Sequence, residues 1–301
     1  MTIIKETAIH IPVSSCCNND CRFCMEPHID HKVNLDRKFI FRILKKYMFE
    51  RADRVLFTNK EPTLNPDLPR YIEYAKKIGY KKIALVTNGR RFSSLPYCRD
   101  LLQKGLNHIT VSIHGPDPRI HDLLTRRKGS FQETLKGLKN LSSLKKYFGF
   151  TFITSTVLSR PNYPHTGRML KLLSGFPADQ IILQCIECRG RKMSRNFSSL
   201  MIRYSDVIKE IKKTDRNYKG PRFHVLGLPY CVAGKGGKNF HLGYTENIKL
   251  LGNKGRLNLI DYSSKYGTLK RKECARCRAF LFCRGIFKPY IRHYGWKELK
   301  P

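Results

Sequence analysis

Apolar runs rich in β-branched residues alternate with amphipathic stretches over about the first two thirds of the chain. Runs at 7–13, 54–58, 82–87, 108–113, 148–157 and 180–185 have the Val, Ile, Thr and aromatic content of strands. Between them, 36–48, 67–78, 95–104, 130–144, 165–173 and 204–212 repeat apolar residues at helical intervals. The best-marked helix start is at Ser130, where Ser130-x-x-Glu133 spells a capping box and Phe131, Leu135, Leu138 and Leu141 fall on one side. Six strand–helix repeats predict an α/β fold in which right-handed crossovers build a parallel sheet, curved into a partial (β/α)6 barrel. Functional residues are then expected at the C-terminal ends of the strands.

From about Lys219 the pattern changes. Gly and Lys become frequent, as in Gly234-Lys235-Gly236-Gly237-Lys238, the strand-like runs shorten, and Cys reappears. The expectation is a barrel domain over 1–218 and a small cysteine-containing domain over 219–301. The Gly-Lys stretch lacks the spacing and the Lys-Ser/Thr ending of a phosphate-binding loop and reads as a basic hairpin tip.

With 301 residues and 41% hydrophobic content the chain can bury a substantial core. No run of about 18 apolar residues predicts a membrane span, and the first ten residues do not resemble a signal peptide, so a cytoplasmic location is expected. In that setting eleven cysteines point to metal binding more than to disulfides. Lys and Arg outnumber Asp and Glu by 58 to 23, a formal net charge of +35, which calls for an anionic partner. The basic residues are scattered, not blocked, so nucleic acid, an acidic peptide and an anionic membrane surface all remain open.

Directly after the first strand-like run comes Cys17-Asn18-Asn19-Asp20-Cys21-Arg22-Phe23-Cys24, a C-x3-C-x2-C array. Three thiolates on a four-iron cluster leave one iron without a protein ligand, as is required where a cofactor or substrate must coordinate that iron. Spacing alone also allows a zinc loop, although structural zinc takes four ligands and this array supplies three. Cys16 reads as a strand-end residue.

The array, with aromatic Phe23 before its last cysteine, resembles the signature of the radical S-adenosylmethionine superfamily. Further likenesses follow in order. The segment Phe57-Thr58-Asn59-Lys60-Glu61-Pro62 resembles the one that meets the cofactor's methionine amino group in that family, with Asn59-Lys60 where relatives carry Gly-Gly. Glycines permit positive φ and close approach, which Asn tolerates moderately and Lys poorly. Thr87-Asn88-Gly89, Val111-Ser112-Ile113-His114-Gly115 and Ser155 resemble segments lining the cofactor. The resemblance implies cofactor contacts at Asn59, Lys60, Glu61, Thr87, Ser112 and Ser155, and a [4Fe-4S] cluster on Cys17, Cys21 and Cys24. His114 is a candidate proton donor at the barrel mouth, although hydrogen-bonding roles for it, His121 and Asp122 are the commoner case.

Near the C-terminus Cys274, Cys277 and Cys283 stand as C-x2-C-x5-C, with Cys231 upstream; together they can close a four-coordinate site. The arrangement resembles the SPASM or twitch extensions that carry an auxiliary [4Fe-4S] cluster, with structural zinc the plainer alternative. Cys185 and Cys188 form another C-x2-C with no second pair, read as packing or a substrate-side thiol, and Cys98 as inert. The aromatic and basic stretch 288–296 reads as a tail packed over the second cysteine site.

The resemblance implies an enzyme that cleaves S-adenosylmethionine reductively to a 5′-deoxyadenosyl radical and, by hydrogen abstraction, modifies a peptide or protein. Flavodoxin or ferredoxin would be its electron donor. RNA modification is the rival suggested by charge. A non-catalytic iron–sulfur or zinc protein binding nucleic acid is a third reading.

Overall fold

The computed structural model describes residues 7–25, 36–234, 239, 247–251, 257–259, 267–281, 283 and 285–300. In chain order it holds β1 (Thr7–Pro12), α1 (Arg37–Phe49), β2 (Arg54–Thr58), α2 (Leu68–Lys77), β3 (Lys82–Thr87), α3 (Leu95–Gln103), β4 (His108–Ser112), α4 (Pro118–Thr125) and α5 (Ser130–Lys145). There follow β5 (Thr151–Leu158), α6 (Thr166–Leu173), β6 (Gln180–Cys185), α7 (Arg191–Arg195), α8 (Phe197–Leu200), α9 (Tyr204–Asn217) and β7 (Phe223–Leu226). The C-terminal region adds α10 (Tyr230–Ala233), β8 (Asn247–Leu251), β9 (Leu257–Leu259), β10 (Thr268–Leu269), β11 (Ile286–Phe287) and α11 (Lys288–Tyr294).

Strands β1 to β7 lie side by side in chain order and are all parallel. Each crossover steps one strand further in the same direction, so right-handed connections put the helices on one face. That is the winding of a barrel wall and not of a doubly wound sheet. Alternation sorts the side chains accordingly. On β5, Phe152, Thr154, Thr156 and Leu158 are buried while Thr151, Ile153, Ser155 and Val157 are half-buried on the other face. The apolar side of α1 (Ile40, Ile43, Leu44, Tyr47) is buried in the core, each such residue contributing roughly 1.5–3 kcal/mol.

Local periodicity did not predict how far the sheet extends. Beyond residue 219, β7 joins β6, and β8 pairs in parallel with the open side of β1, with Ala8 opposite Ile248; β9 then runs antiparallel to β8. The Gly-Lys stretch is outside the described residues apart from Gly234. The capping box at Ser130 does not form: Gly129, at φ 82°, precedes the helix, and Glu133 turns to Arg90. The cap comes from α4, where Asp122 accepts from the Phe131 and Gly129 backbone N–H groups and from the Ser130 hydroxyl, at 2.7–2.9 Å. Asp122 is thereby a capping residue and not a proton donor.

Candidate active site and second cysteine site

The loop after β1 carries Cys17, Cys21 and Cys24 past the C-terminal end of the sheet. Its backbone is tied to the end of α4, where the Asp20 and Arg22 N–H groups donate to the Thr125 and Leu124 carbonyls at 2.9 Å. Phe23 is buried edge-on against His114, with ring centroids 4.8 Å apart. From β3, the Asn88 amide donates to Asn18 Oδ1 at 2.6 Å and stands 3.9 Å from Cys17 Sγ. Arg90 donates to the Asn18 carbonyl and to Asn19 Oδ1, and pairs with Glu133 at 2.5 Å. Asp20 is held by Lys192 of α7 and by Arg126.

This scaffold fits the cluster that the cysteine spacing implies. Burial raises the pKa of the Cys17 and Cys21 thiols, and each is raised further by the charge of Cys24, so the three stand within electrostatic reach of one another. Burial thus disfavours the thiolates of Cys17 and Cys21, whereas a metal core would supply the positive charge under which a coordinating thiol is deprotonated outright. The Asn19 N–H, 3.4 Å from Cys17 Sγ, and the Asn88 amide are donors suited to a cluster sulfur. Cys16 is exposed and 3.6 Å from the Ser14 hydroxyl.

Asn59 and Lys60 both adopt positive φ, 77° and 52°, the conformation for which glycine is the ordinary choice. Asn59 Nδ2 donates to the Ser14 carbonyl at 3.1 Å, and its Oδ1 is buried without a partner. Glu61 is 1% exposed. Its Oε1 accepts from Thr63 N–H and from the Thr63 and Thr87 hydroxyls, and its Oε2 from Asn88 N–H. Burial raises its pKa, and these donors counter the rise. Thr87 therefore acts on the site through Glu61, its hydroxyl also accepting from Gly89 N–H at 3.0 Å.

Ser112 and Ser155 sit directly opposite each other on β4 and β5, on the half-buried face. His114 is buried, its Nδ1 accepting from Val157 N–H at 3.2 Å, and burial lowers its pKa to about 3. Burial favours its neutral form, in which Nδ1 serves as the acceptor for the β5 backbone. His121 Nδ1 accepts from the His114 N–H, and burial lowers its pKa to about 4. The sequence reading missed the parts played by Asn88, Arg90 and Asp122. The Asn-Gly-Arg ending of the third strand was the available signal for the first two.

Cys231, Cys274, Cys277 and Cys283 line one pocket, closed partly by Trp296 and Leu299 of the C-terminal tail. Gly285 N–H points to Cys283 Sγ at 3.4 Å. Burial, then the charges of Cys283, Cys277 and Cys274, push Cys231 up to about 11. Among the described residues no group of three or more His, Cys, Asp or Glu side chains is arranged to hold a single metal ion. Four thiols around one pocket are a donor set that either a four-iron cluster or structural zinc would take.

The tail is anchored by Tyr290, which stacks on Tyr204 at 4.1 Å, accepts from Tyr204 N–H and donates to Glu298. The tail thus packs over the cavity as its aromatic pattern predicts. Cys185 and Cys188 do not join either group. Burial raises both thiols, Cys188 to about 12, and Cys188 packs 3.6 Å from Met201 Sδ.

The chain belongs to the radical S-adenosylmethionine superfamily: the family model "Radical SAM superfamily" matches residues 11–173. By sequence it is similar to a probable GTP 3′,8-cyclase of Sulfolobus acidocaldarius, 32% identical over 39% of this chain and 37% of that protein. It is also similar to mouse (Mus musculus) molybdenum cofactor biosynthesis protein 1, 24% identical over 69% of this chain and 32% of the relative. The chain thus spans about a third of the length of these curated relatives.

In fold it resembles Streptococcus suis SuiB bound to precursor peptide SuiA, with TM-score 0.66 and 13% identity, covering 88% of this chain and 62% of that one. It likewise resembles native anSMEcpe with bound AdoMet, with TM-score 0.65 and 17% identity, covering 93% and 88%.

Proposed function

We propose that this protein is a radical S-adenosylmethionine enzyme that modifies a peptide or protein. In this reading Cys17, Cys21 and Cys24 hold the cluster that binds S-adenosylmethionine, while Cys231, Cys274, Cys277 and Cys283 hold an auxiliary cluster in a C-terminal region spanning 219–301. The observation that carries it is the gathering of three neighbouring thiols with Glu61 and Asn88 past the C-terminal ends of consecutive parallel strands, beside the facing pair Ser112 and Ser155 on β4 and β5. The peptide substrate is supported by the likeness to SuiB with its precursor peptide and to anSMEcpe with a bound Kp18Cys peptide.

When bound, the cluster and S-adenosylmethionine supply the one-electron chemistry that removes a hydrogen atom from the substrate. The chain's own residues position those groups. Asn88 and Arg90 hold the cysteine loop, Glu61 locks the ends of β2 and β3 together, and the Ser112 and Ser155 hydroxyls offer polar contacts on the inner face. Asn59 and Lys60 bring their segment to the cofactor in the glycine-like conformation. His114, neutral, orients the end of β5. Among the described residues no helix is long and apolar enough to cross a membrane; we read the enzyme as cytoplasmic and supplied with electrons by flavodoxin or ferredoxin.

The test is anaerobic reconstitution with iron and sulfide, then assay for 5′-deoxyadenosine under strong reductant, with and without candidate peptides. Cleavage stimulated by a peptide is expected. A fully clustered protein that leaves S-adenosylmethionine intact sinks the enzyme reading. Turnover on RNA or GTP in place of peptide moves the substrate.

A further inference from the structure

The stretch 269–281 carries two of the auxiliary cysteines and is built unlike the rest of the surface. Leu269, Phe280 and Leu281 are 40%, 38% and 85% exposed, three of the few large apolar side chains so placed among the described residues. Around them the same stretch contains Lys270, Arg271, Lys272, Arg276 and Arg278 against a single acid, Glu273.

These cations divide into two sets. Lys270 and Arg271 line the cysteine cavity, where they face the charge of whatever the thiolates hold. Lys270 also lies 4.3 Å from the Phe280 ring centroid and donates to the Phe280 carbonyl, and Arg271 donates to the Leu299 carbonyl. Lys272, Arg276 and Arg278 do not line the cavity, are exposed, and make no ion pair among the described residues. Neutralising the metal site does not account for them.

A second observation concerns depth. Leu269 and Phe280 line the cavity and are also exposed, and the four cysteines are themselves only half-buried, so the cysteine site lies close to solvent. An apolar centre with a cationic rim over a thinly covered site suits a small, transient, electrostatically steered interface.

We infer that the surface formed by Leu269, Phe280 and Leu281 with Lys272, Arg276 and Arg278 docks a small acidic electron-carrier protein against the second cysteine site. This rests on the proposed auxiliary cluster. The exchange moves one electron between carrier and cluster, one oxidised and the other reduced by one, with no bond made or broken. The rim supplies steering and orientation, and the apolar centre brings the partner close to the cavity.

The experiment uses the full-length reconstituted protein and a flavodoxin as probe, with association measured at low and high salt. Wild type should bind with a dissociation constant that rises steeply with salt. The triple variant Lys272→Glu, Arg276→Glu, Arg278→Glu should weaken low-salt binding at least about tenfold, and Leu281→Asp severalfold. The control reverses Lys171 and Lys213, exposed in the groove between α6 and α9, and should leave binding unchanged.

Equal loss in control and rim variants overturns the proposal, since the carrier is then responding to overall charge. So does unchanged binding in the rim variants. Iron and sulfide content is read in the same samples. Wild type with only one cluster per chain defeats the auxiliary-cluster reading, whereas two clusters with no rim effect defeats the docking surface alone.

Discussion

The first cysteine site takes three thiols from eight consecutive residues at the end of β1, whereas the second draws four from α10 and from a stretch more than forty residues further on. The short loop cannot hold itself in place, and it is pinned from outside by Asn88 and Arg90 of the next-but-one strand, by α4, and by Lys192. The second site has little sheet around it beyond the two-residue pair β10–β11, and its walls come from the tail that follows it. The first is a seat held in place by the barrel around it. In the second, a metal bound as proposed would join distant parts of the chain and so contribute to folding.

Substitution in each site breaks the comparison most directly. Cys21→Ala should abolish 5′-deoxyadenosine formation and lower the metal content from roughly eight to roughly four irons per chain. Cys277→Ala should cost the same iron yet retain cleavage of S-adenosylmethionine in the absence of substrate. Loss of cleavage in both variants, by product assay and iron analysis, would show that the sites are not independently built.

A smaller effect is set by acid. His114 and His121 have folded-state pKa values lowered to about 3 and about 4, below the ordinary 6.5, so the unfolded chain binds more protons between those limits. Stability from these groups is therefore present above pH 6.5 and is lost as pH falls towards the folded values. At pH 5 the loss is about 2 kcal/mol for each histidine. Denaturant unfolding at pH 7 and pH 5 measures it, and His114→Asn should flatten the slope. The seat of the first site, packed on His114 through Phe23, should loosen in acid before the second does.

The smallest effect concerns Lys60. Holding it at φ 52° costs roughly 1–2 kcal/mol, so Lys60→Gly should raise stability by about 1 kcal/mol. Asn59→Gly should gain less, because it surrenders the bond to the Ser14 carbonyl. Thermal unfolding of both variants decides whether that strain is structural.

Six strands and the six main helices were legible because each buries one face, and burial writes its period into neighbouring residues. The β5 start at Thr151, the small helices α4, α7 and α8, and the Asp122 cap were not, since each depends on a partner from elsewhere in the chain. Likewise β8 owes its place to β1, some 240 residues away, and no local window contains both. At the site, the thiols were readable from spacing. The saturation of Glu61 by Thr63, Thr87 and Asn88 was not, because it joins the ends of two strands. Asn59-Lys60 was legible as a departure from the Gly-Gly of relatives; that the backbone keeps the glycine conformation regardless required coordinates.

The pairing of β8 with β1 also bears on how the protein is made. One side of β1 stays open until Asn247 leaves the ribosome, which at ordinary elongation speeds is on the order of ten to fifty seconds after Pro12. For that interval the nascent sheet ends at the strand that leads into the first three cysteines, and its edge stays unpaired until β8 closes over it.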